Sequence, residues 1–239
     1  LSEMKFIEVL PFPSDSMELS GADVVVIDVL RATSSMVVAM ANGCKGIIPT
    51  PSLEEAKAIA YRLKDGFVLA GERDGFRPEG FDLGNSPLEF SKEAVGGRFV
   101  VLSTTNGTRA LLSAAEARNV LICSFLNLDA VAEKCMEMGD EIFVLCSGSK
   151  GRISIEDLGC AGALIERISG MTDLWTSDSA KVSLCVYRGY DRDAYRIFME
   201  SSHGRYLLDI GFGDDLSFCA KEGIFDLVPV FSEGMVKRS

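Results

Sequence analysis

Asp23-Val24-Val25-Val26-Ile27-Asp28-Val29-Leu30-Arg31-Ala32-Thr33 is the stretch that decides the fold class. Its first half is apolar without alternation, so a strand built from it is buried on both faces. Its second half turns polar and leads into residues 34–41, where apolar side chains fall at helical spacing. A doubly covered strand that feeds a helix is the unit of a parallel sheet between helical layers. The same alternation repeats outward in both directions. Strands are expected at residues 5–9, 23–28, 46–49, 67–70, 98–103, 119–123, 141–146 and 226–230. Helices are expected at 34–41, 53–63, 108–117, 128–138 and 155–168. The fold class is therefore α/β, a three-layer α/β/α arrangement around a mostly parallel sheet, with a mixed sheet left open.

From 174 to 222 the pattern reads as helical without strands, with short helices at 178–187, 191–200 and 214–221. No internal repeat, low-complexity tract or linker interrupts the chain, so residues 1–239 are expected to form one domain with a helix-rich C-terminal third. The least regular stretch is 71–87, rich in Gly and Pro and too long for a plain connector.

Composition narrows the function. The net charge is −11 and the pI about 4.7. Such a surface repels nucleic-acid phosphates and anionic lipid, so neither is an expected partner. A small anionic substrate would be repelled too, unless Arg or a metal is concentrated at its site. The seven Cys (44, 123, 135, 146, 160, 185 and 219) are odd in number and follow no metal-ligand spacing. They read as reduced, mostly buried thiols, Cys185 in Val-Ser-Leu-Cys-Val included, and point to a cytoplasmic location. The N-terminus has no apolar core of the kind a signal peptide needs, and no run approaches the ~18 apolar residues of a membrane span. A homodimer is left open.

Ligands of parallel α/β sheets bind beyond the carboxyl ends of the strands. Four such ends carry charge: Asp28 and Arg31; Glu72 and Arg73; Thr105-Asn106-Gly107-Thr108-Arg109; and Cys146 through Arg152 to Glu156 and Asp157. They are expected along one edge. The Thr-rich turn can present helix N-terminal N–H groups to a phosphate, with Gly107 allowing close approach and Arg109 adding a fork of donors. It reads equally as a helix cap made by Thr105 or Asn106. Asp28, Glu72 and Asp157 suit a hard cation such as Mg²⁺, which needs few carboxylates. Asp28 also reads as an N-cap, and Glu156-Asp157 as a charge pair in a helix's first turn. The expected partner is a small phosphorylated acid, and Arg31, Arg73, Arg109 and Arg152 suit its planar, bidentate recognition.

Two further residues bear on mechanism. His203 is the chain's single histidine, which excludes His-rich metal hydrolases; Ser-Ser-His-Gly-Arg reads as a solvated loop. Cys146 and Arg152 stand five residues apart around Ser-Gly-Ser-Lys-Gly, the arrangement of a cysteine phosphatase, so a Cys146 nucleophile is the mechanistic rival.

These loops together resemble the 2-phosphosulfolactate phosphatase family. The matching stretches are Asp28-Val-Leu-Arg31-Ala-Thr33, Gly71-Glu72-Arg73, Gly80-Phe-Asp82-Leu-Gly84-Asn85-Ser86-Pro87, Thr104-Thr-Asn106-Gly107-Thr108-Arg109, and Cys146-Ser-Gly148 with Glu156-Asp157 and Cys160-Ala-Gly162. The resemblance implies a Mg²⁺-dependent phosphatase that converts (2R)-2-phospho-3-sulfolactate to 3-sulfolactate and phosphate, a step of coenzyme M biosynthesis. It brings Asn85 and Ser86 into the substrate-binding set, and Asp28, Glu72, Glu156 and Asp157 into the metal-binding set. Asp28 and Asp157, with Cys146 as rival, are the candidates for the chemical step. A reading of another class also stands: a sensor that holds a phosphorylated or sulfonated metabolite without turnover.

Overall fold

The computed structural model describes residues 4–14, 16–63 and 65–239. Residues 1–3, on which the reading of the N-terminus partly rests, lie outside them. The strands are β1 (Lys5–Leu10), β2 (Asp23–Ile27), β3 (Gly46–Pro49), β4 (Phe67–Gly71), β5 (Phe99–Ser103), β6 (Asn119–Cys123), β7 (Glu141–Cys146), β8 (Leu174–Thr176), β9 (Pro229–Ser232) and β10 (Met235–Arg238). They form one ten-stranded sheet in the order β4-β5-β3-β10-β9-β6-β2-β7-β1-β8. The helices are α1 (Ala32–Ala41), α2 (Leu53–Leu63), α3 (Lys92–Val95), α4 (Gly107–Ser113), α5 (Leu128–Cys135), α6 (Ile155–Ser169), α7 (Asp178–Gly189), α8 (Ala194–Glu200), α9 (Ser202–Asp209) and α10 (Gly213–Cys219).

The opening stretch behaves as its composition requires. Every residue of β2 is buried. Val25 and Ile27 pack with Leu128, Leu164 and Phe198 on one face. Val24 and Val26 pack with Met36, Val37 and Leu111 on the other. The period of two thus feeds both helical layers from one strand. A separate cluster seats α2 on β4 and β5 through Ala56, Ala60, Leu69 and Val101.

The sheet is mixed in a specific way. β2, β7, β1, β6 and β8 run parallel to their neighbours. So do β3, β5 and β4. The hairpin β9–β10 lies between these blocks, antiparallel to β6 on one side and to β3 on the other. Three antiparallel steps reverse the sense, so the two parallel blocks run in opposite directions. The strand ends expected along one edge therefore belong to two edges. Strand twist of roughly 20–25° per neighbour, accumulated from β5 to β2, swings those ends toward each other.

Three expectations need correction. Residues 174–222 contain a strand: Leu174-Trp175-Thr176 pairs with β1 at the sheet edge. Three residues are too few to display a period. The segment expected at 226–230 is shifted and followed by a partner, β10, across a turn in which Glu233 and Gly234 both have positive φ. That pair forms a two-residue hairpin loop, with only its second position occupied by Gly. Cys185 is exposed on α7, whereas the other six cysteines are buried.

Candidate functional site

Loops from both parallel blocks, together with α9, enclose a cavity of about 460 Å³. From the β2–α1 turn come Asp28, Leu30 and Arg31. Glu72 and Asn85 come from the long loop after β4, and Thr104, Thr105 and Asn106 from the β5–α4 turn. Lys150 projects from the β7–α6 loop, and His203 and Tyr206 from α9.

Asp28 sits where β2 ends and α1 begins, and it is buried. The Ala32 N–H donates to its Oδ1 at 3.3 Å, so the capping role holds for one oxygen. The backbone turn is locked by Thr33, whose hydroxyl donates to the Asp28 carbonyl and whose N–H does the same. A Cβ on Gly107 would lie 2.7 Å from Asp28 Oδ2 and 2.4 Å from Ala32 Cβ. Gly107 is therefore small so that the turn of β5 can close against Asp28, inside the protein. Burial pushes the Asp28 carboxyl up to about 7, with Glu72 and Glu156 adding to the rise and the Ser147 hydroxyl and Ala32 amide opposing it.

Asp157 occupies the first turn of α6 and is also buried. Its Oδ1 accepts the Val29 N–H at 3.0 Å. Its Oδ2 accepts the Ser147 hydroxyl at 3.0 Å and the Gly148 N–H at 3.2 Å. Asp157 thus ties the β2–α1 turn to the β7–α6 loop, and it does not line the cavity. Burial, then Asp28 and Glu156, hold its carboxyl well above the usual range. The Ser147 hydroxyl has one hydrogen and two carboxylates beside it, so the pair is short of donors. Glu156 is buried next to Asp157 and does not reach the cavity wall either.

Glu72 faces the cavity, but both its oxygens are engaged. The Thr105 N–H donates to Oε1 at 2.7 Å and the Gly75 N–H to Oε2 at 3.0 Å. The cap of α4 is made by Thr104 and Thr108, each accepting or donating through its hydroxyl to the other, and by neither Thr105 nor Asn106. Gly107 and Thr108 lie behind the wall. Thr105 and Asn106 reach the cavity, so part of the expected cradle is in place.

The arginines divide. Arg31 lines the cavity, with NH1 donating to Asp215 Oδ2 and NH2 to the Gly75 carbonyl, both at 2.7 Å. Its guanidinium lies 4.2 Å from the centre of the Phe212 ring. Ser86 donates to the other oxygen of Asp215 at 2.6 Å, so Ser86 acts through Asp215 and not on the cavity. Arg73 turns to the end of β5 and donates to Ser103 Oγ at 3.0 Å. Arg109 donates to the Pro13 carbonyl, and Arg152 is exposed; neither lines the cavity. Asn85 does, and its Oδ1 is buried without a hydrogen-bond partner.

Cys146 is not among the residues that line the cavity. It is the last residue of β7, fully buried, behind the wall and not on it. Burial and the neighbouring Asp157 hold its thiol well above its ordinary value, which disfavours the thiolate a nucleophile needs. His203 is corrected in the opposite sense. It lies in the first turn of α9 and faces the cavity, with burial lowering its pKa. Lys150, His203 and Asp215 were missed. Only Lys150, in a small-residue loop directly after a strand, carried a local signal; the other two reach the site through the packing of α9 and α10.

Among the described residues, no group of three or more His, Cys, Asp or Glu side chains converges closely enough to hold a metal ion. Asp157 is spent on three donors and Glu72 bridges two amides; of the lining residues, Asp28, Asp74 and Asn85, whose Oδ1 has no hydrogen-bond partner, offer oxygens to a cation. A hard divalent ion that keeps water and substrate oxygens fits so small a protein set. No described helix is long and apolar enough to cross a membrane.

A sequence model of the family described as 2-phosphosulpholactate phosphatase matches residues 12–234. A probable 2-phosphosulfolactate phosphatase of Caldanaerobacter subterraneus subsp. tengcongensis is 40% identical over 223 residues, 93% of this chain and 92% of its own. One from Thermotoga maritima is 38% identical over 229 residues, 96% of each chain. One from Symbiobacterium thermophilum is 41% identical over 221 residues, 92% of this chain and 95% of its own. The chain belongs to the 2-phosphosulfolactate phosphatase family.

Proposed function

We propose that this chain is a Mg²⁺-dependent phosphoric monoester hydrolase that converts (2R)-2-phospho-3-sulfolactate to 3-sulfolactate and phosphate in the cytoplasm, as a step of coenzyme M biosynthesis. The carrying observation is Asp28: a buried carboxyl poised near neutrality at the mouth of a strand, in a cavity that also holds Arg31 and Lys150. Arg31 is pre-positioned by Asp215 and Gly75, and a guanidinium has five N–H groups, so donors remain for the substrate. Thr105 and Asn106 supply further polar contacts at the β5 turn.

The acids Asp28, Glu72 and Asp74 line the cavity beside Arg31 and Lys150, so an anionic substrate gains little net attraction from the protein alone. A divalent cation held by Asp28 and Asn85 Oδ1 would reverse that balance, and when bound it supplies charge neutralisation at the phosphoryl oxygens. Asp28 holds a proton up to about neutral pH without a cation and gives it up in favour of one. Arg31 orients the anion from a buried position beside Asp28. Phosphoryl transfer disperses charge over equatorial oxygens, so such positioning supplies most of the rate enhancement. The test is phosphate release from 2-phosphosulfolactate with Mg²⁺ and with EDTA. Release that EDTA abolishes is expected. No release under any metal would leave the binding-protein reading in its place.

A further inference from the structure

The cavity holds two permanent cations, and they are not equivalent. Arg31 is buried, ion-paired to Asp215 at 2.7 Å and stacked on Phe212. Its charge is already compensated, so it contributes direction more than net attraction. Lys150 is exposed at the rim, and among the described residues its ammonium forms no ion pair. The loop that carries it is held in an unusual shape. Lys150 itself has φ +51°, between Gly148 at +60° and Gly151 at +72°. A left-handed lysine is uncommon and is kept only where the surroundings enforce it. Here Asn106 Oδ1 accepts the Lys150 N–H at 3.4 Å, which ties the β7–α6 loop across to the β5–α4 turn. The Ser149–Arg152 backbone pair closes the loop's base.

We propose that Lys150 is a specificity-determining residue that holds the sulfonate of the substrate; this rests on the function proposed above. The phosphoryl group must approach Asp28, at the turn where Arg31 offers a planar fork. Of the two end groups, the planar carboxylate suits the fork of Arg31, which leaves the sulfonate to extend toward the rim. It spreads one charge over three oxygens with no preferred plane, which a rotating ammonium on a flexible stem matches better than a fork does. A neutral terminal methyl in the same place would make no use of Lys150.

The experiment compares kcat/KM for 2-phosphosulfolactate and 2-phospholactate in wild type, Lys150→Met and Lys150→Arg. The preference for the sulfonated substrate should fall about 10- to 100-fold in Lys150→Met, the scale of one charge-assisted hydrogen bond. The fall should appear in KM and be restored only in part in Lys150→Arg, which keeps the charge but not the ammonium's geometry. Equal losses on both substrates, or no loss, would overturn the proposal. Calorimetric titration with 3-sulfolactate and lactate reads the same contact without turnover. Wild type should bind sulfolactate the more tightly and Lys150→Met should lose that margin; a wild type without the margin also overturns it. Failure to release phosphate from either substrate would sink the proposed function, while the titration still decides the role of Lys150.

Discussion

Asp28 and Asp157 are the same residue type in nearly the same situation, yet they do different things. Each follows an apolar parallel strand, each is buried, and burial raises each carboxyl. Asp157 spends both oxygens on three donors from two other loops. Asp28 spends one oxygen on a helix N–H and turns its carboxyl to the cavity. One aspartate ties two loops together; the other faces the cavity and is the one proposed for the chemical step. The lesson is that burial and a raised pKa do not locate the reacting group; unspent hydrogen-bonding capacity facing a cavity does.

The sharpest way to break this contrast is to neutralise each in turn. Asp28→Asn keeps an acceptor for Ala32 and fits beside Gly107, so the fold should survive while turnover falls by about 10³-fold or more. Steady-state phosphate release beside a circular dichroism melt checks both halves. Turnover within tenfold of wild type would move Asp28 out of the site.

Asp157→Ala should act on stability first. It strips the acceptor from the Val29 and Gly148 amides and the Ser147 hydroxyl, all buried, at a cost of about 3 kcal/mol. Urea unfolding should show that loss with an unchanged slope. A wild-type midpoint together with lost turnover would mean that Asp157, too, faces substrate.

How far the sequence carried this distinction depended on range. β2 was legible because Val24-Val25-Val26-Ile27 has no polar face, and a core on both sides is what such a run demands. The gathering of Asp28, Glu72, Thr105 and Asn106 was legible because strand ends are where α/β sites form. The spending of hydrogen bonds was not. Nothing local to Ser86 reveals that it serves Asp215, a residue 129 positions away. Nothing local to His203 shows that α9 lies over the cavity. The reversal of the two parallel blocks was hidden as well, because β10 is half charged and touches β3 at a single register pair, Val236–Ile47.

A smaller effect separates Asp28 from ordinary carboxylates by pH. Its folded pKa, about 7, lies above the unfolded value near 4, so the fold favours the protonated form. The stabilisation is fully present below about pH 4 and is lost as pH rises through about 7. Asp28→Asn removes that loss. In EDTA the variant should gain on wild type by on the order of 2 kcal/mol between pH 5 and pH 8. Unfolding midpoints that track each other across this window would show that Asp28 does not resist ionisation.

The smallest expected change tests the remaining rival for the chemical step. Cys146 also stands at a strand end, but it is the last residue of β7 and pairs with Ile27, one residue before Asp28. It differs in pointing into the core, where it packs with Val25, Leu121 and Ala161 and has no path to the cavity. Cys146→Ala removes one sulfur from a packed interior, at a cost of about 1 kcal/mol. Turnover at a temperature well below the melt should stay within about threefold of wild type, because no step passes through the thiol. A loss of several orders of magnitude, with EDTA harmless, would restore the cysteine mechanism. That result would also require the β7–α6 loop to open, since burial and Asp157 both disfavour the charged sulfur where it now lies.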